Sequence, residues 1–419
     1  MNKKKIIIYK NIKMIRKLIF FFYLLGLVSI INSATDATID TTKKYQTIRG
    51  FGGMNHPDWI NDLTTEQVNK AFKNGDGDLG FSILRMPVSE NTANWAKCVN
   101  TAKLASSLGA LVFASPWNPP ASMQEQFSGG GRSGKRLRHD KYGDYAQHLN
   151  NYCKFMKEKG VELHAISIQN EPDYAHDWTW WTSEECANFA ADYANKIECD
   201  VMSCETFQYG KGYYKDLLQN SKASANIALF GTHFYGTPRN DMDFPTLESD
   251  PRDIWMTEVY VPNSSSDADT WPEAVEVAVN IHNALVVGRM NAYVWWYIRR
   301  SYGPMKDNGN ISKRGYMMAH FSKYVRPGAV RVDCTESPAN GVYISAYINT
   351  DGTLAIVAIN NGSQSYTQKY NIKGMNIKSV TRYQTSGSEN LAVTKDLENS
   401  DNGFFAQLNS KSVSTFIVS

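Results

Sequence analysis

Between residues 49 and 298 the sequence repeats one pattern eight times: a short apolar run followed, in most cases, by a segment with helical periodicity. The apolar runs span 49–53, 82–88, 110–117, 164–172, 200–206, 227–236, 253–260 and 292–298. Runs that are apolar on both faces are typical of strands in a parallel sheet, which helices cover on both sides. Eight strand–helix units predict a (β/α)8 TIM barrel of the α/β class. A doubly wound open sheet is disfavoured, because no glycine-rich phosphate loop follows any strand.

The helical patterns between these runs are amphipathic. They cover 65–74, 95–108, 141–159, 183–198, 212–221, 272–287 and 312–325. We therefore assign residues 49–326 to the catalytic barrel.

After residue 326 the periodicity changes. Runs of alternating apolar and polar residues span 329–335, 341–349, 354–360, 365–372, 377–384 and 412–418, with Asn-Gly, Asp-Gly and Gly-Ser turns between them. Period-two runs at this spacing predict a β-sandwich over 327–419, fused to the side of the barrel. Residues 35–48 also alternate and have no helix after them, so we expect an N-terminal strand that joins the side domain.

The first 34 residues differ from the rest. Seven basic side chains between Lys3 and Lys17 precede an apolar run over 18–31, and Asn32, Ser33 and Ala34 follow it. This order is typical of a secretory signal peptide. The alternative is an uncleaved signal anchor, but the run is shorter than the about 20 residues of a membrane span. We expect cleavage near Ala34 and a secreted monomer without membrane contact.

Cleavage changes the net charge. The signal peptide holds seven of the 44 basic residues and none of the 41 acidic ones, so the mature chain has 37 against 41, a net charge of −4. That balance argues against a nucleic-acid partner. The six cysteines show no paired CxxC spacing, so no zinc site is expected, and nothing implies another metal or a cofactor. Export permits disulfides, whose pairing the spacing leaves open.

Two glutamates end predicted barrel strands. Glu171 follows Asn170 at the end of the fourth run, where Pro172 cannot continue a central strand, and Glu258 ends the seventh. The carboxyl ends of barrel strands meet at one mouth, where ligands bind. Two carboxylates there suit glycoside hydrolysis: one protonates the leaving oxygen, and the other attacks the anomeric carbon or activates water. The alternative is that each glutamate only caps the helix that follows it. Two glutamates at the ends of two barrel strands favour the catalytic interpretation over this one.

Other strand ends supply candidate substrate-binding residues, namely Arg85, Trp117, Asn170, His233 and Tyr235. A guanidinium at Arg85 can hold a neighbouring carboxylate ionised. Asn170 is placed to hydrogen-bond a sugar 2-hydroxyl, and Trp117 can stack on a sugar face. Structural roles are the alternatives: His233 as a core imidazole and Trp296 as the residue that fills the barrel bottom.

Three motifs then carry a family resemblance: QNEPDY at 169–174, TEVYVPN at 257–263 and WWYIRRSYGP at 295–304. Together they resemble the glucuronoxylanases of glycoside hydrolase family 30, subfamily 8, and the likeness covers the whole mature chain. The resemblance implies that Glu171 is the acid/base, that Glu258 is the nucleophile, and that configuration is retained. The family cuts the β-1,4-xylan backbone at a position set by a 4-O-methylglucuronic acid branch.

In that family an arginine on the loop after the eighth strand pairs with the uronate. The matching residue here is Arg300, and the expected substrate-binding set also includes Trp178, Tyr260, Trp296 and Tyr302. A guanidinium binds a carboxylate through two parallel hydrogen bonds, which agrees with this role. Arg299 is expected to be its solvated neighbour. Where some members place a serine that contacts the uronate, this chain has Asn263 followed by Ser264, which puts that one contact in doubt.

Two alternatives remain open. Another family 30 activity, β-1,6-glucanase or glucosylceramidase, would give Arg300 no carboxylate to bind. The second is a xylan-binding barrel without catalytic activity. Because both glutamates are present, the loss of activity would have to come from a change elsewhere in the site.

Overall fold

The computed structural model describes residues 32–129, 132–174, 176–262, 266–394 and 397–419. The expected signal peptide, apart from residues 32–34, lies outside these ranges, as do Asn263 and Ser264. Among the described residues, no helix combines the length and apolar character needed to cross a membrane.

The first part of the described chain alternates strands with helices. Its strands are β1 (Asn32–Ser33), β2 (Ala37–Thr47), β3 (Gly50–Met54), β4 (Ile83–Val88), β5 (Leu111–Pro116), β6 (Gln124–Gly129), β7 (Arg132–Leu137), β8 (Ala165–Ser167), β9 (Thr179–Trp180), β10 (Val201–Met202), β11 (Phe230–His233), β12 (Ile254–Glu258) and β13 (Ala292–Tyr297). Its helices are α1 (Thr65–Phe72), α2 (Val99–Ser107), α3 (Tyr142–Glu158), α4 (Ser183–Asp192), α5 (Lys211–Gln219), α6 (Ser221–Ala225), α7 (Pro245–Glu248), α8 (Val275–Val286) and α9 (Lys313–Ser322). Short 3-10 turns lie at Thr92–Cys98, Ala121–Met123, His139–Lys141, Ala194–Lys196 and Arg239–Asp241.

Eight parallel strands form the barrel in the order β10-β8-β5-β4-β3-β13-β12-β11. Backbone hydrogen bonds join the two ends, because Ala228 N donates to Val201 O at 2.9 Å and Ser203 N donates to Leu229 O at 3.1 Å. The predicted (β/α)8 barrel is therefore confirmed. The fourth, fifth and sixth strands are shorter than the sequence predicted, since beyond them the pairing continues only as isolated bridges such as Asn170 to Glu205.

The lower half of the barrel interior is apolar. Trp255 on β12 fills it, with its ring 5.7 Å from Phe113 and 5.1 Å from His164 between centroids. Trp255 is fully buried. The structural alternative that gave this place to Trp296 is therefore wrong.

A small second sheet lies beside the barrel, and the sequence analysis did not predict it. Strands β6 and β7 form an antiparallel hairpin, and β9 pairs with β7 in parallel, Lys135 opposite Thr179 and Arg136 opposite Trp180. The hairpin is polar and rich in glycine, so it lacks the apolar alternation by which a strand is recognised.

The side domain is built from β2 and the C-terminal strands. These are β14 (Val330–Cys334), β15 (Val342–Ile348), β16 (Leu354–Asn360), β17 (Tyr366–Lys373), β18 (Val380–Thr385), β19 (Ala392–Thr394), β20 (Leu397–Ser400), β21 (Gly403–Leu408) and β22 (Ser412–Val418). The sheet runs in the order β19-β18-β22-β16-β15-β14-β2-β17-β21-β20, and β1 pairs with β17. Strands β19, β20 and β21 are additional to the predicted set.

The two halves of this sheet pack face to face, as the predicted β-sandwich requires. The rings of Tyr370 on β17 and Phe404 on β21 each lie 5.1 Å from that of Phe416 on β22. The N-terminal strand β2 sits between β14 and β17, so residues before the barrel and residues after it share one sheet.

Helices α8 and α9 carry the contact between barrel and side domain. His320 on α9 is fully buried, and its ring nitrogens hydrogen-bond the hydroxyls of Thr415 at 2.8 Å and Thr385 at 2.9 Å. On α8, His282 lies 3.1 Å from Glu336. Two disulfides tie helices to the segments that flank β10: Cys153 on α3 pairs with Cys199, and Cys186 on α4 pairs with Cys204, while Cys98 and Cys334 are free thiols.

The buried His320 predicts an acid-dependent loss of stability. Burial lowers the pKa of His320 to about 3, below the ordinary 6.5, so below pH 6.5 only the unfolded chain takes up this proton. The free energy of unfolding then falls by up to about 1.4 kcal/mol per pH unit per such group. We expect His320→Gln to be less stable at pH 7 but to have a shallower decline between pH 6.5 and 4, measured by urea unfolding.

The exposed His176 offers a matched control. His176→Gln should leave the pH slope of unfolding unchanged. A slope for His320→Gln as steep as that of the wild type would contradict the burial argument.

Candidate active site

Glu171 sits on a constrained turn at the end of the fourth barrel strand. Its φ is +41°, in the left-handed region that non-glycine residues rarely adopt, and Pro172 follows it. Backbone bonds hold the turn: Asn170 N donates to Pro116 O at 2.9 Å, and Glu171 N donates to Glu205 O at 2.8 Å. The strained backbone therefore aims the Glu171 carboxyl into the barrel mouth.

Glu258 ends β12 and faces the same space. One carboxylate oxygen accepts a hydrogen bond from Arg85, and the other accepts one from the Tyr235 hydroxyl at 2.8 Å. Both oxygens are thus oriented, and only 5% of the residue is exposed. The carboxyl is therefore held in one orientation, facing the space that Glu171 also faces.

Arg85 on β4 links most of the site. Its guanidinium is fully buried and donates to Glu258, to Asn170 Oδ1 at 2.7 Å, to Glu205 Oε1 at 3.1 Å and to Ser115 Oγ at 3.1 Å. Burial opposes the charge, but Glu205 and Glu258 outweigh it and raise the pKa of Arg85. The cation is therefore permanent.

Glu205 is a site residue that the sequence analysis missed. It is fully buried and follows the fifth strand, as Glu171 and Glu258 end the fourth and seventh. Burial alone would raise the pKa of Glu205, but the Arg85 guanidinium holds it well below its usual range. The signal was available in the sequence, because Glu205 lies at the carboxyl end of the fifth run, one residue before its last position.

His233, at the end of β11, stands among the three carboxylates. Its Nδ1 lies 2.8 Å from Glu171 Oε1, and its Nε2 lies 3.7 Å from Glu205 and 4.0 Å from Glu258. Burial works against its charge, but Glu258 and the other two carboxylates raise the pKa of His233 to about 9. His233 is thus a cation at neutral pH rather than a neutral core imidazole, and Nδ1 donates to Glu171.

Burial raises the pKa of Glu171 to about 7, with Glu258 adding to the shift, while the hydrogen bond from His233 opposes it. A carboxyl oxygen of Glu171 and one of Glu258 lie within 4.8 Å of each other, and a ring nitrogen of His233 lies within the same distance of both. This triad has the spacing of a metal site. However, the charged imidazole and the Arg85 guanidinium on Glu258 both oppose a bound cation.

Asn170 keeps one donor free. Its Oδ1 accepts from Arg85, whereas its Nδ2 is buried and has no hydrogen-bond partner among the residues that the structure describes. A buried unpaired amide is costly unless a ligand satisfies it. Asn170 is therefore oriented to donate to a group in the mouth of the barrel.

Aromatic rings line the mouth. Trp117 and Trp296 lie 5.9 Å apart between ring centroids, and Trp59 packs edge-on against both, at 5.3 and 6.0 Å. Trp59 is 50% exposed, and the sequence analysis missed it because it lies in the loop beyond the first barrel strand. Trp178 covers the turn that carries Glu171, donating from Nε1 to Glu171 O at 3.3 Å.

The loop after β13 carries Arg300. Its Cζ lies 5.3 Å from the Tyr297 ring centroid, and Tyr260 and Tyr302 are 5.0 Å apart beside it. Among the described residues, no carboxylate forms an ion pair with Arg300. Arg299, by contrast, donates to Gln67 Oε1 at 2.9 Å and to Asn61 O at 2.6 Å, so the expectation that it is simply solvated is wrong.

The backbone of this loop is fixed. Arg300 N donates to Met305 O at 3.0 Å, Ser312 Oγ to Gly303 O at 2.7 Å, and Arg314 Nη1 to Tyr302 O at 3.1 Å. Arg300 therefore presents a positive charge at a defined point on the rim. The structure thus brings twelve predicted residues to one mouth: Arg85, Trp117, Asn170, Glu171, Trp178, His233, Tyr235, Glu258, Tyr260, Trp296, Arg300 and Tyr302.

Comparison with known proteins agrees with this architecture. Residues 328–416 match the model of the glycosyl hydrolase family 30 beta sandwich domain. The chain is 52% identical over 390 residues to glucuronoxylanase XynC of Bacillus subtilis, covering 92% of each protein.

Solved structures give the same result. A GH30 endoxylanase from Clostridium papyrosolvens is 42% identical with a TM-score of 0.85, over 92% of this chain and 100% of that one. A family 30 subfamily 8 xylanase from Clostridium acetobutylicum is 32% identical with a TM-score of 0.83, over 91% and 99%. The protein therefore belongs to glycoside hydrolase family 30, subfamily 8.

Proposed function

We propose that this protein is a secreted endo-β-1,4-xylanase that hydrolyses glucuronoxylan with retention of configuration. Glu258 attacks the anomeric carbon, Glu171 protonates the leaving oxygen and later activates water, and Arg300 binds a (4-O-methyl)glucuronic acid branch. The observation that carries the proposal is that a carboxyl oxygen of Glu171 and one of Glu258 lie within 4.8 Å of each other. Retaining glycosidases place these groups about 5–5.5 Å apart, whereas inverting ones leave about 6.5–9.5 Å for a water.

The surroundings of the two carboxyl groups also differ, as a reaction with one nucleophile and one proton donor requires. Glu258 is oriented by Arg85 and Tyr235, which suits a nucleophile, and Glu171 has a pKa raised to about 7, which suits a proton donor. Once Glu171 has given up its proton, the charged His233 beside it stabilises the carboxylate. The free Nδ2 of Asn170 is available to the sugar 2-hydroxyl.

The substrate is inferred from the rim. Arg300 is a fixed cation without a carboxylate partner among the described residues, and Tyr260, Trp296 and Tyr302 border it. A uronate branch supplies the missing negative charge, whereas a neutral glucan or a glucosylceramide does not. The named activity of the relatives points to the same polymer, and the basic and apolar order of residues 1–34 supports secretion.

Removing either carboxyl should abolish turnover. We expect Glu171→Gln and Glu258→Gln to lower kcat on glucuronoxylan by at least about 10²-fold, because each loses its proton transfer or its nucleophile. Reducing-sugar release measures the rate. The exposed Glu162, in the loop that follows α3, gives the control Glu162→Gln, which should match the wild type.

Retention is tested by proton NMR of the first products, which should carry the β-anomer. An initial α-anomer would show inversion. A wild-type protein that binds xylan but is as inert as both glutamine variants would instead favour the non-catalytic barrel.

The pH profile should report Glu171. Because the donor must be protonated, we expect kcat/KM on glucuronoxylan to fall as the pH rises above about 7. His233→Asn removes the neighbouring cation and its hydrogen bond, which lower the pKa of Glu171. The alkaline limb should therefore move to higher pH while kcat decreases. A limb that moves to lower pH would contradict the assigned coupling.

Arg300 should set substrate choice. We expect Arg300→Ala to lower kcat/KM on glucuronoxylan by about 10- to 100-fold, since a bidentate charged contact is lost, and to change arabinoxylan cleavage little. Arg300→Lys should recover only part of the activity, because a lysine lacks the planar fork. Mass spectrometry of the products should show the uronate at one fixed distance from the new reducing end in the wild type and a spread of positions in Arg300→Ala.

The exposed Lys103 on α2 provides a charge-matched control, and Lys103→Ala should behave as the wild type on both polymers. If Arg300→Ala lowered kcat/KM equally on glucuronoxylan and arabinoxylan, Arg300 would not be the residue that binds the uronate. The roles assigned to Glu171 and Glu258 would be unaffected by that result.

A further inference from the structure

A second cation-bearing cavity lies beside the small sheet. Its volume is about 440 Å³, and its walls include Phe127, Arg132, Trp180, Trp181 and Tyr213. The guanidinium groups of Arg132 and Arg136 lie over the Trp180 and Phe127 rings, each 4.9 Å from the ring centroid, so the aromatic walls hold both cations at the cavity. The cavity shares none of its lining residues with the set that surrounds Glu258 and Arg300.

The cavity adjoins the turn that carries Glu171. Trp181 N donates to Pro172 O at 3.2 Å, and Trp181 Nε1 donates to Gln169 Oε1 at 3.2 Å. Tyr213 closes the other side, because its hydroxyl donates to Trp181 O at 2.7 Å. A lining residue of the cavity thus contacts the segment 169–172, which carries the proposed acid/base, the residue that protonates the leaving oxygen in the proposed mechanism.

Arg132 supplies the charge. Its Cζ lies 4.9 Å from the Trp180 ring centroid, and it is close enough to the Tyr213 hydroxyl to oppose the rise in its pKa, to about 12, that burial causes. No carboxylate of the described residues forms an ion pair with it. The neighbouring Arg136, in contrast, is committed to Glu125 at 2.7 Å.

The acidic residue of the cavity is also occupied. Glu185 accepts from Thr182 N at 2.7 Å with one oxygen and lies 2.7 Å from the His139 ring with the other. The second oxygen also lies 4.0 Å from Arg136 Nη1, so the Glu185 carboxyl is shared between its own helix cap, His139 and Arg136. Arg132 remains the polar group with capacity for a further anion.

We propose that this cavity binds the leaving-group side of the xylan chain, with Arg132 pairing with a second uronate branch there. The inference rests on the proposed function, since it takes the polymer and the direction of the chain from it. Arg300 and Arg132 would then bind uronate branches on opposite sides of the cleaved bond. Enzyme action would be favoured where two branches flank the cleavage site at a fixed spacing.

The test compares two defined xylo-oligosaccharides cleaved by the full-length protein. Both carry one 4-O-methylglucuronate on the side that Arg300 binds, and one carries a second on the leaving side. We expect the wild type to prefer the doubly branched substrate, and Arg132→Gln to reduce that preference, as a ratio of kcat/KM values, about three- to tenfold. About 0.5 M NaCl should weaken the wild-type preference in the same direction, because the pair is only partly buried.

Lys135 is the matched control. It lies on the same strand with its side chain exposed on the opposite face, so Lys135→Gln removes an equal charge and should leave the ratio unchanged. An equal reduction by both variants, or no reduction by Arg132→Gln, would overturn the inference. If that occurred while Arg300→Ala still lost glucuronoxylan cleavage, the proposed function would stand; a wild type inert on both substrates would overturn both.

Discussion

The buried guanidinium of Arg85 is the interaction on which the site depends. Three carboxyl groups, those of Glu171, Glu205 and Glu258, converge in a space almost closed to water, where like charges repel strongly. Arg85 contacts Glu205 and Glu258 directly, and the charged His233 lies near all three. Glu171 has no hydrogen bond from Arg85, and burial together with the neighbouring Glu258 raises its pKa to about 7 in spite of the hydrogen bond from His233.

This balance depends in turn on the barrel. Arg85, Glu171, Glu205, His233 and Glu258 come from five strands, and only a closed parallel sheet brings the carboxyl ends of all five to one point. The apolar plug around Trp255 excludes water from below. The side domain supports the same geometry from outside, because α8 and α9, which flank the last barrel strand, are fixed to it through His282 and His320. Residues far from the barrel mouth thus hold the helices next to the last barrel strand.

The barrel and the two glutamates could be predicted from the sequence, because buried parallel strands are continuous apolar runs and their ends are marked by Pro172 or by a polar residue. Three features of the structure depend on contacts that leave no apolar pattern in the sequence. The hairpin of β6 and β7 forms from polar and glycine residues whose pairing follows from backbone geometry rather than from apolar alternation. Trp59 lies in the loop beyond the first barrel strand, away from the strand ends where ligands are expected. Arg299 and Arg300 are adjacent and chemically identical, but only Arg299 hydrogen-bonds Gln67 and Asn61. The sequence does not show which of the two makes these contacts.

The same reasoning explains why function concentrates at unpaired groups. A buried or fixed polar group that lacks a protein partner costs free energy in the unliganded molecule, and a ligand that satisfies it recovers that cost. Asn170 Nδ2, which has no hydrogen-bond partner among the described residues, is such a group at the centre of the mouth. Arg300 on the rim is half-buried and contacts the Tyr297 ring, and it forms no ion pair with a described residue. Arg85 and Arg299 are equally charged but already satisfied, so they can only position other residues. Whether an arginine in this fold binds substrate or organises the site is therefore decided by the partners that the protein itself provides.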